Sequence, residues 1–422
     1  MGASGKILPP HSTPETGAAR VLVASLRDAA MAETLRELGC EVMDNHHLSA
    51  DTLPGALHDL APDVLIVGDL TVSATAMDAT PQLALVIHAG NGEGAVDVSA
   101  ASARGILVAN CPTRGAVAAA ELAWGLILAC DRRIPEQAID LRAGRWNRTP
   151  YLSCSGLNGR TLGLIGFGAV GQEVARRGRA FGMHVLAWSR SLTEERCDLL
   201  HIDLCSNLVN LAKLADVISV SVTGSDQTHH MLGEKFFAAM RPGAILVNTS
   251  LGTVIDEAAL QRAITDKGIR VGLDVFSGQP TADDGSVKSS LLANPGVYAT
   301  HGVGGWTTQA RSAVAEETSR ILAGWMHDGH VFNCLNDSPS NQGKAVLRVR
   351  HANRPGVLAR VFEVLGRGGV NIEEMENVIC AGGEAAIVRM HLASMPTDAQ
   401  LREIRATECV FAATAGPSRL GG

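Results

Sequence analysis

The chain has 422 residues, 46% of them apolar and 19% charged, with a formal net charge of −7. That length predicts two or three domains with ample core, and that balance excludes a disordered chain. Thirty-six Lys and Arg against 43 Asp and Glu argue against a polyanion wrapper, so no nucleic-acid partner is expected. Nine cysteines without a C-x-x-C pair exclude a simple disulfide framework and give no zinc spacing, so no metal is expected. With no stretch apolar and long enough for a signal peptide or a membrane span, the expectation is a soluble cytoplasmic protein without a membrane partner.

In chain order, residues 1–19 carry Pro9, Pro10 and Pro14 and read as a flexible leader. A strand at Val21–Ala24 and a helix at Ala29–Leu38 follow. Val64–Val67 and Leu85–Ile87 are short apolar runs of the kind buried in parallel sheets. Gly115–Ala129 is an almost wholly apolar helix. Strands are then predicted at Thr161–Ile165, Val185–Trp188, Val217–Val222, Ala244–Asn248 and Val271–Val275, with a helix at Gln172–Phe181. This alternation predicts an α/β fold with an open parallel sheet. Asn336–Gly343 reads as a linker. Beyond it, strands at Ala345–Arg350, Val370–Ile372, Ala385–His391 and Val410–Ala413, with helices at Gly356–Leu365 and Asp398–Thr407, predict a small α+β unit.

Gly166-Phe167-Gly168-Ala169-Val170-Gly171 is a G-x-G-x-x-G motif between a predicted strand and a predicted helix, the context that makes it a dinucleotide site. Gly166 permits a tight turn, Gly168 lets backbone approach a pyrophosphate, and Gly171 allows close helix–strand packing. The acidic residue expected about twenty positions on, which would bind the ribose of NAD, is absent. Ser189 and Arg190 stand there instead. They favour NADP over NAD through its 2′-phosphate, unless Arg190 is only a solvated loop residue.

With these segments the chain resembles the D-isomer-specific 2-hydroxyacid dehydrogenases, and within them the phosphoglycerate dehydrogenases that carry an ACT domain. AGNGEGAVDVSAA near Gly90, VANCP near Pro112, AAELAWGLILA, LGLIGFGAVG, MRPGAILVNTSLGTVIDEAAL and GLDVF carry the resemblance from Val21 to Ala415. It implies two doubly wound parallel-sheet domains, one of them a Rossmann domain, plus a C-terminal α+β ACT domain. The substrate domain would be discontinuous, residues 20–112 and 306–335, around a dinucleotide domain at 113–305. Residues 336–343 would link these to an ACT domain at 344–415. A homodimer or homotetramer is implied as well.

The family uses an Arg to bind the substrate, a His to move the hydroxyl proton and a Glu to hold that His. Hydride transfer needs such a set, because the hydroxyl loses a proton as its carbon loses hydride. The matching positions here are Leu251, Gly302 and Gln279. His301, one residue early, could serve as the catalytic group or be a polar loop residue. The resemblance places His88, Gly90, Asn91 and Gly92 at the substrate carboxylate, although His88 could equally cap a strand end. It places Asp274 and Gly304 near the nicotinamide. His229 and His230, being adjacent, are not expected to point into one site. Cys111 reads as a small buried residue near the cleft.

In the C-terminal unit, His351, Asn353 and Asn371 match the positions that bind serine in serine-regulated members, which implies an amino-acid effector. A purely structural dimerisation module is the alternative. Three functional readings follow. One is an NAD(P)-dependent oxidoreductase of a small anionic 2-hydroxy acid with an atypical site. Another is elimination, addition or isomerisation on the same scaffold with retained cofactor. The third is an inert dinucleotide and amino-acid sensor.

Overall fold

Strands of Val, Leu and Ile without polar alternation need cover on both faces, which a parallel sheet between helices supplies. The computed structural model describes residues 18–26, 29–68, 70–92, 94–280, 285–287, 289–337 and 343–418. Nearly all of the leader and the middle of the linker lie outside these. The first sheet contains β1 (Arg20–Ala24), β2 (Glu41–Asn45), β3 (Val64–Val67), β4 (Leu85–His88) and β5 (Leu107–Asn110). Their order is β2-β1-β3-β4-β5, with every neighbouring pair parallel. The central β3 and β4 are wholly buried. The sequence reading missed β2 because it is a half-exposed edge strand, EVMDN, without an apolar run. One face is covered by a helix from the far end of the unit, Thr308–Asp328. Its Ala315, Ile321, Leu322 and Trp325 join Val21, Val23, Ile66 and Ile87 in one core.

The second sheet contains β6 (Thr161–Ile165), β7 (His184–Trp188), β8 (Asp203–Leu204), β9 (Val217–Val220), β10 (Ile245–Asn248), β11 (Arg270–Leu273) and β12 (Val297–Ala299). The order is β12-β11-β10-β9-β6-β7-β8, again all parallel. Strand order reverses between β6 and β9, where open α/β sheets bind ligands. The apolar helix Ala116–Arg132 lies on one face. It comes close enough that a Cβ on Gly272 of β11 would stand 2.8 Å from the Cβ of Leu126.

These two sheets form one compact unit ending at Asn336; residues from Asp337 form another. The second unit is an antiparallel sheet of β13 (Ala345–Ala352), β14 (Ile372–Ile379), β15 (Ala385–Leu392) and β16 (Val410–Pro417), in the order β14-β15-β13-β16. Helices Val357–Arg367 and Asp398–Ala406 cover one face, packing Val361, Leu365 and Ile404 on Leu347, Val349 and Val388. The strand expected at Val370–Ile372 instead starts at Ile372 and runs to Ile379. Its sequence, IEEMENVI, is almost entirely exposed, so its ladder to β15 and not an apolar pattern makes it a strand.

Candidate active site

The glycine turn joins β6 to the helix Ala169–Ala180 at the switch point. Gly166 has φ +94°, and its N–H donates to the Trp188 carbonyl oxygen over 2.8 Å. A Cβ there would lie 2.4 Å from the Ser221 carbonyl oxygen, so the position is closed to any other residue. A Cβ on Gly171 would meet the Gly166 carbonyl oxygen at 2.5 Å, whereas Gly168 has nothing within 4 Å. The turn is therefore packed from behind and open in front. Phe167 is buried in the core, and Ala169 and Val170 form the first turn of the helix. Beyond β7, Ser189 approaches Ser191, their hydroxyl oxygens 3.5 Å apart. The exposed Arg190 donates through one nitrogen to Gln227 over 3.0 Å.

The loops after β10, β11 and β12 share the same edge of the sheet. Fully buried Asn248 fixes the first loop by donating to the Leu251 carbonyl oxygen and accepting from the Ser250 N–H. Leu251 is exposed, with one methyl pressed against Gly224. Buried Asp274 fixes the third loop. Its carboxylate accepts from the Thr300 hydroxyl at 2.6 Å, the Val303 N–H at 3.0 Å and the Gly304 N–H at 2.8 Å. Both Asp274 oxygens and the Gly304 amide are thus engaged with each other. Gln279 accepts from the Phe276 N–H, and its amide nitrogen lies 3.6 Å from where a Cβ on Gly302 would stand. The pair of positions is brought together although neither side chain titrates. Gly302 has φ +69°, and His301 beside it is exposed.

On the first sheet His88 is buried. Gly90 and Gly94 lie so close to its ring that a Cβ on either would meet ring atoms at 2.8 or 2.7 Å. The Gly92 carbonyl oxygen accepts from His88 Nδ1 at 3.2 Å and from Asn110 at 2.9 Å, while Asn91 is exposed. His88 thus shapes the Gly90–Gly92 loop from inside. His229 and His230 are both exposed on a surface loop. Their rings stack with centroids 4.1 Å apart, and His230 takes φ +49°.

Sequence reading did not find the cluster around Glu317. This buried carboxylate accepts from Arg114 at 2.6 Å, from Arg320 at 2.5 Å and from Asn333 at 2.6 Å. The Arg320 bond foremost, helped by Arg114 and Asn333, lowers its pKa to about 2 against the opposing effect of burial. Burial pushes the thiol of nearby Cys111 up to about 11, which leaves it a packing residue with no thiolate character. Arg114 and Glu317 are too far apart in sequence for any spacing rule to pair them.

In the C-terminal unit, buried His351 donates from Nδ1 to the Ala352 carbonyl oxygen at 2.8 Å, and its Nε2 has no hydrogen-bond partner. Asn353 donates to the Gly383 carbonyl oxygen, and Asn371 to the Glu373 carboxylate.

Residues 124–303, which hold the glycine turn, the loops after β10 and β11 and the start of the loop after β12, match the family model described as D-isomer specific 2-hydroxyacid dehydrogenase, NAD binding domain. A hydroxypyruvate reductase of Thermotoga maritima is 38% identical over 275 residues, 65% of this chain and 87% of that protein. The chain belongs to the D-isomer-specific 2-hydroxyacid dehydrogenase family. A D-3-phosphoglycerate dehydrogenase of Methanocaldococcus jannaschii is 34% identical over 67% of this chain, which spans only 54% of that relative's length. Among solved members of the fold, an NADPH-dependent glyoxylate/hydroxypyruvate reductase of Sinorhizobium meliloti, in complex with NADP and malonate, is 31% identical. It covers 76% of this chain and 97% of its own, with a TM-score of 0.66. A protein of Thermus thermophilus is also 31% identical over 75% of this chain and 99% of its own, with a TM-score of 0.67. The 2-hydroxyacid dehydrogenase fold thus accounts for both parallel sheets.

Proposed function

We propose that the chain is an oxidoreductase that interconverts a small anionic 2-oxo acid and its 2-hydroxy acid, with NADP preferred to NAD and with altered proton transfer. The observation that carries this reading is the glycine turn at the switch point, closed behind Gly166 and open in front of Gly168. Its edge of the sheet also carries the loop that Asp274 fastens and His301 occupies. The fit to a dinucleotide is good. The first-turn N–H groups at residues 169–171 would receive a pyrophosphate at the helix N-terminus, while that of Gly166 holds the turn to Trp188. Arg190 commits one nitrogen to Gln227 and keeps donors for a 2′-phosphate. Asp274 and Gly304 shape the wall near the nicotinamide, and the Gly90–Gly92 loop offers backbone donors to a carboxylate. The dinucleotide supplies the hydride. His301 moves the hydroxyl proton without a carboxylate to hold it, since Gln279 is an amide.

The uncharged set Leu251, Gln279 and Gly302 supports a second reading, in which retained cofactor serves an elimination, addition or isomerisation. Titration with NADPH and NADH, followed by mixing with glyoxylate or hydroxypyruvate, separates the two. The first reading expects tighter NADPH binding and oxidation of the nucleotide, reduced by about 10²–10⁴ in the H301A variant. Tightly held nucleotide that no 2-oxo acid oxidises favours the second.

The C-terminal unit is read as an ACT domain that takes a serine-like amino acid through His351, Asn353 and Asn371. The buried, partnerless His351 Nε2 supports this, because such an atom is costly unless something pairs with it. Calorimetry with serine checks it, and H351A is expected to abolish the heat.

A further inference from the structure

Arg114 stands where the chain crosses from the first sheet to the second, just before the helix Ala116–Arg132. We propose that Arg114 binds the carboxylate of the anionic substrate, supplying from this crossover the guanidinium that position 251 lacks. This rests on the 2-oxo acid reading above and names the cation of that site.

Three observations carry it. The crossover lies against the loop of His301 and Gly302, since a Cβ on Gly115 would stand 3.6 Å from the Gly305 Cα. Thr113, immediately before Arg114, has φ +68°, a conformation that a β-branched residue rarely takes. Such strain persists where the fold over-determines it, and it clusters at sites that hold ligands. The third observation is the charge balance around Glu317. Two arginines share this one buried carboxylate, so the cluster keeps one positive charge in surplus. Arg320 commits two nitrogens to Glu317 and lays its guanidinium over the Phe332 ring at 3.9 Å. Arg114 commits only Nη2, and its side chain is 43% exposed. Its Nε and Nη1 remain for a carboxylate, while Glu317 prevents the long side chain from swinging away. A guanidinium held in this way loses less entropy on binding than a free one. Leu251 is exposed and can contribute only apolar surface.

Malonate and glyoxylate serve as probes on the NADPH-loaded protein. R114Q is expected to weaken malonate binding about tenfold to a hundredfold, the scale of a lost charged hydrogen bond. The glyoxylate KM should rise with it, and NADPH affinity should stay unchanged. R114K, which keeps a charge for Glu317 but not the fork, should fall between. Adding L251R should recover more malonate affinity in R114Q than it adds to the wild-type chain, whereas an equal gain in both backgrounds gives Arg114 a purely structural role and overturns the proposal. Wild-type affinity for malonate in R114Q, or no affinity for either probe in the native protein, overturns the proposal. If R114Q reduces glyoxylate with an unchanged KM, the dehydrogenase reading stands and this one falls. If no 2-oxo acid is reduced but malonate binding still depends on Arg114, the reverse holds.

Discussion

A Cβ at Gly166 would lie 2.4 Å from the Ser221 carbonyl oxygen on a backbone with φ +94°, whereas a Cβ at Gly168 would meet nothing. The two glycines are thus needed for different reasons, one by the fold and one by what approaches it. G166A is expected to destabilise the protein by about 1–3 kcal/mol and to lose nucleotide binding. G168A should leave Tm unchanged and weaken nucleotide binding alone. Thermal unfolding with and without NADPH distinguishes them, and an unchanged NADPH affinity in G168A would falsify the role given to that turn. Gly302 carries a related lesson. A His there would stand at φ +69°, a region His201 and His230 already occupy in this chain but that costs a side chain about 1–3 kcal/mol. Placing Arg, Glu and His at 251, 279 and 302 therefore adds backbone strain to the loop.

At the scale of elements, the helix Thr308–Asp328 returns to the first sheet through packing, and Glu317 on it ties down the crossover through Arg114. The folded-state pKa of Glu317 lies near 2, below its ordinary value of 4.5. The unfolded chain therefore binds more protons between these values. The stabilisation is complete above pH 4.5 and is lost as pH falls towards 2. E317Q should cost about 2–4 kcal/mol at neutral pH, because it leaves two arginines without their counter-charge; the lower part of that range allows for their half-exposed side chains. Urea unfolding at pH 7, 5, 4 and 3 checks this. The expected result is a gap between wild type and variant that narrows on acidification.

Across the whole molecule, one segment of the N-terminal unit leaves large apolar side chains in water. Ile134, Ile139, Leu141, Trp146 and Leu152 are all more than half exposed. Large apolar side chains exposed along one segment are what an association surface requires. They support the homodimer or homotetramer that the family resemblance implies. W146R is expected to lower the mass measured by light scattering without lowering secondary structure, and an unchanged mass would remove this segment from the interface. Among the described residues no helix is long and apolar enough to cross a membrane, and all nine cysteines are free.

The sequence by itself determined the buried parallel strands, the glycine turn and the α+β character of the C-terminal unit. Each is a local pattern: the apolar runs of β3 and β4, three glycines at fixed spacing, the alternation of Leu347 and Val349 with Arg348 and Arg350. The resemblance raises the further expectation that Leu251, Gln279 and Gly302 stand where the family carries Arg, Glu and His. The edge strands of the two parallel sheets, β2, β5, β8 and β12, escaped the sequence reading, and β14 was expected only at its start, since an edge strand is short or exposed and takes its pairing from one neighbour. Only the tertiary structure decided that His88 supports a loop from inside and that Asp274 spends both oxygens on the loop after β12. It alone set Arg114 against Glu317 and Gly115 against Gly305. Those facts depend on residues distant in sequence meeting at one place, and the charge, burial and backbone strain that they create exist only once the chain has closed around them.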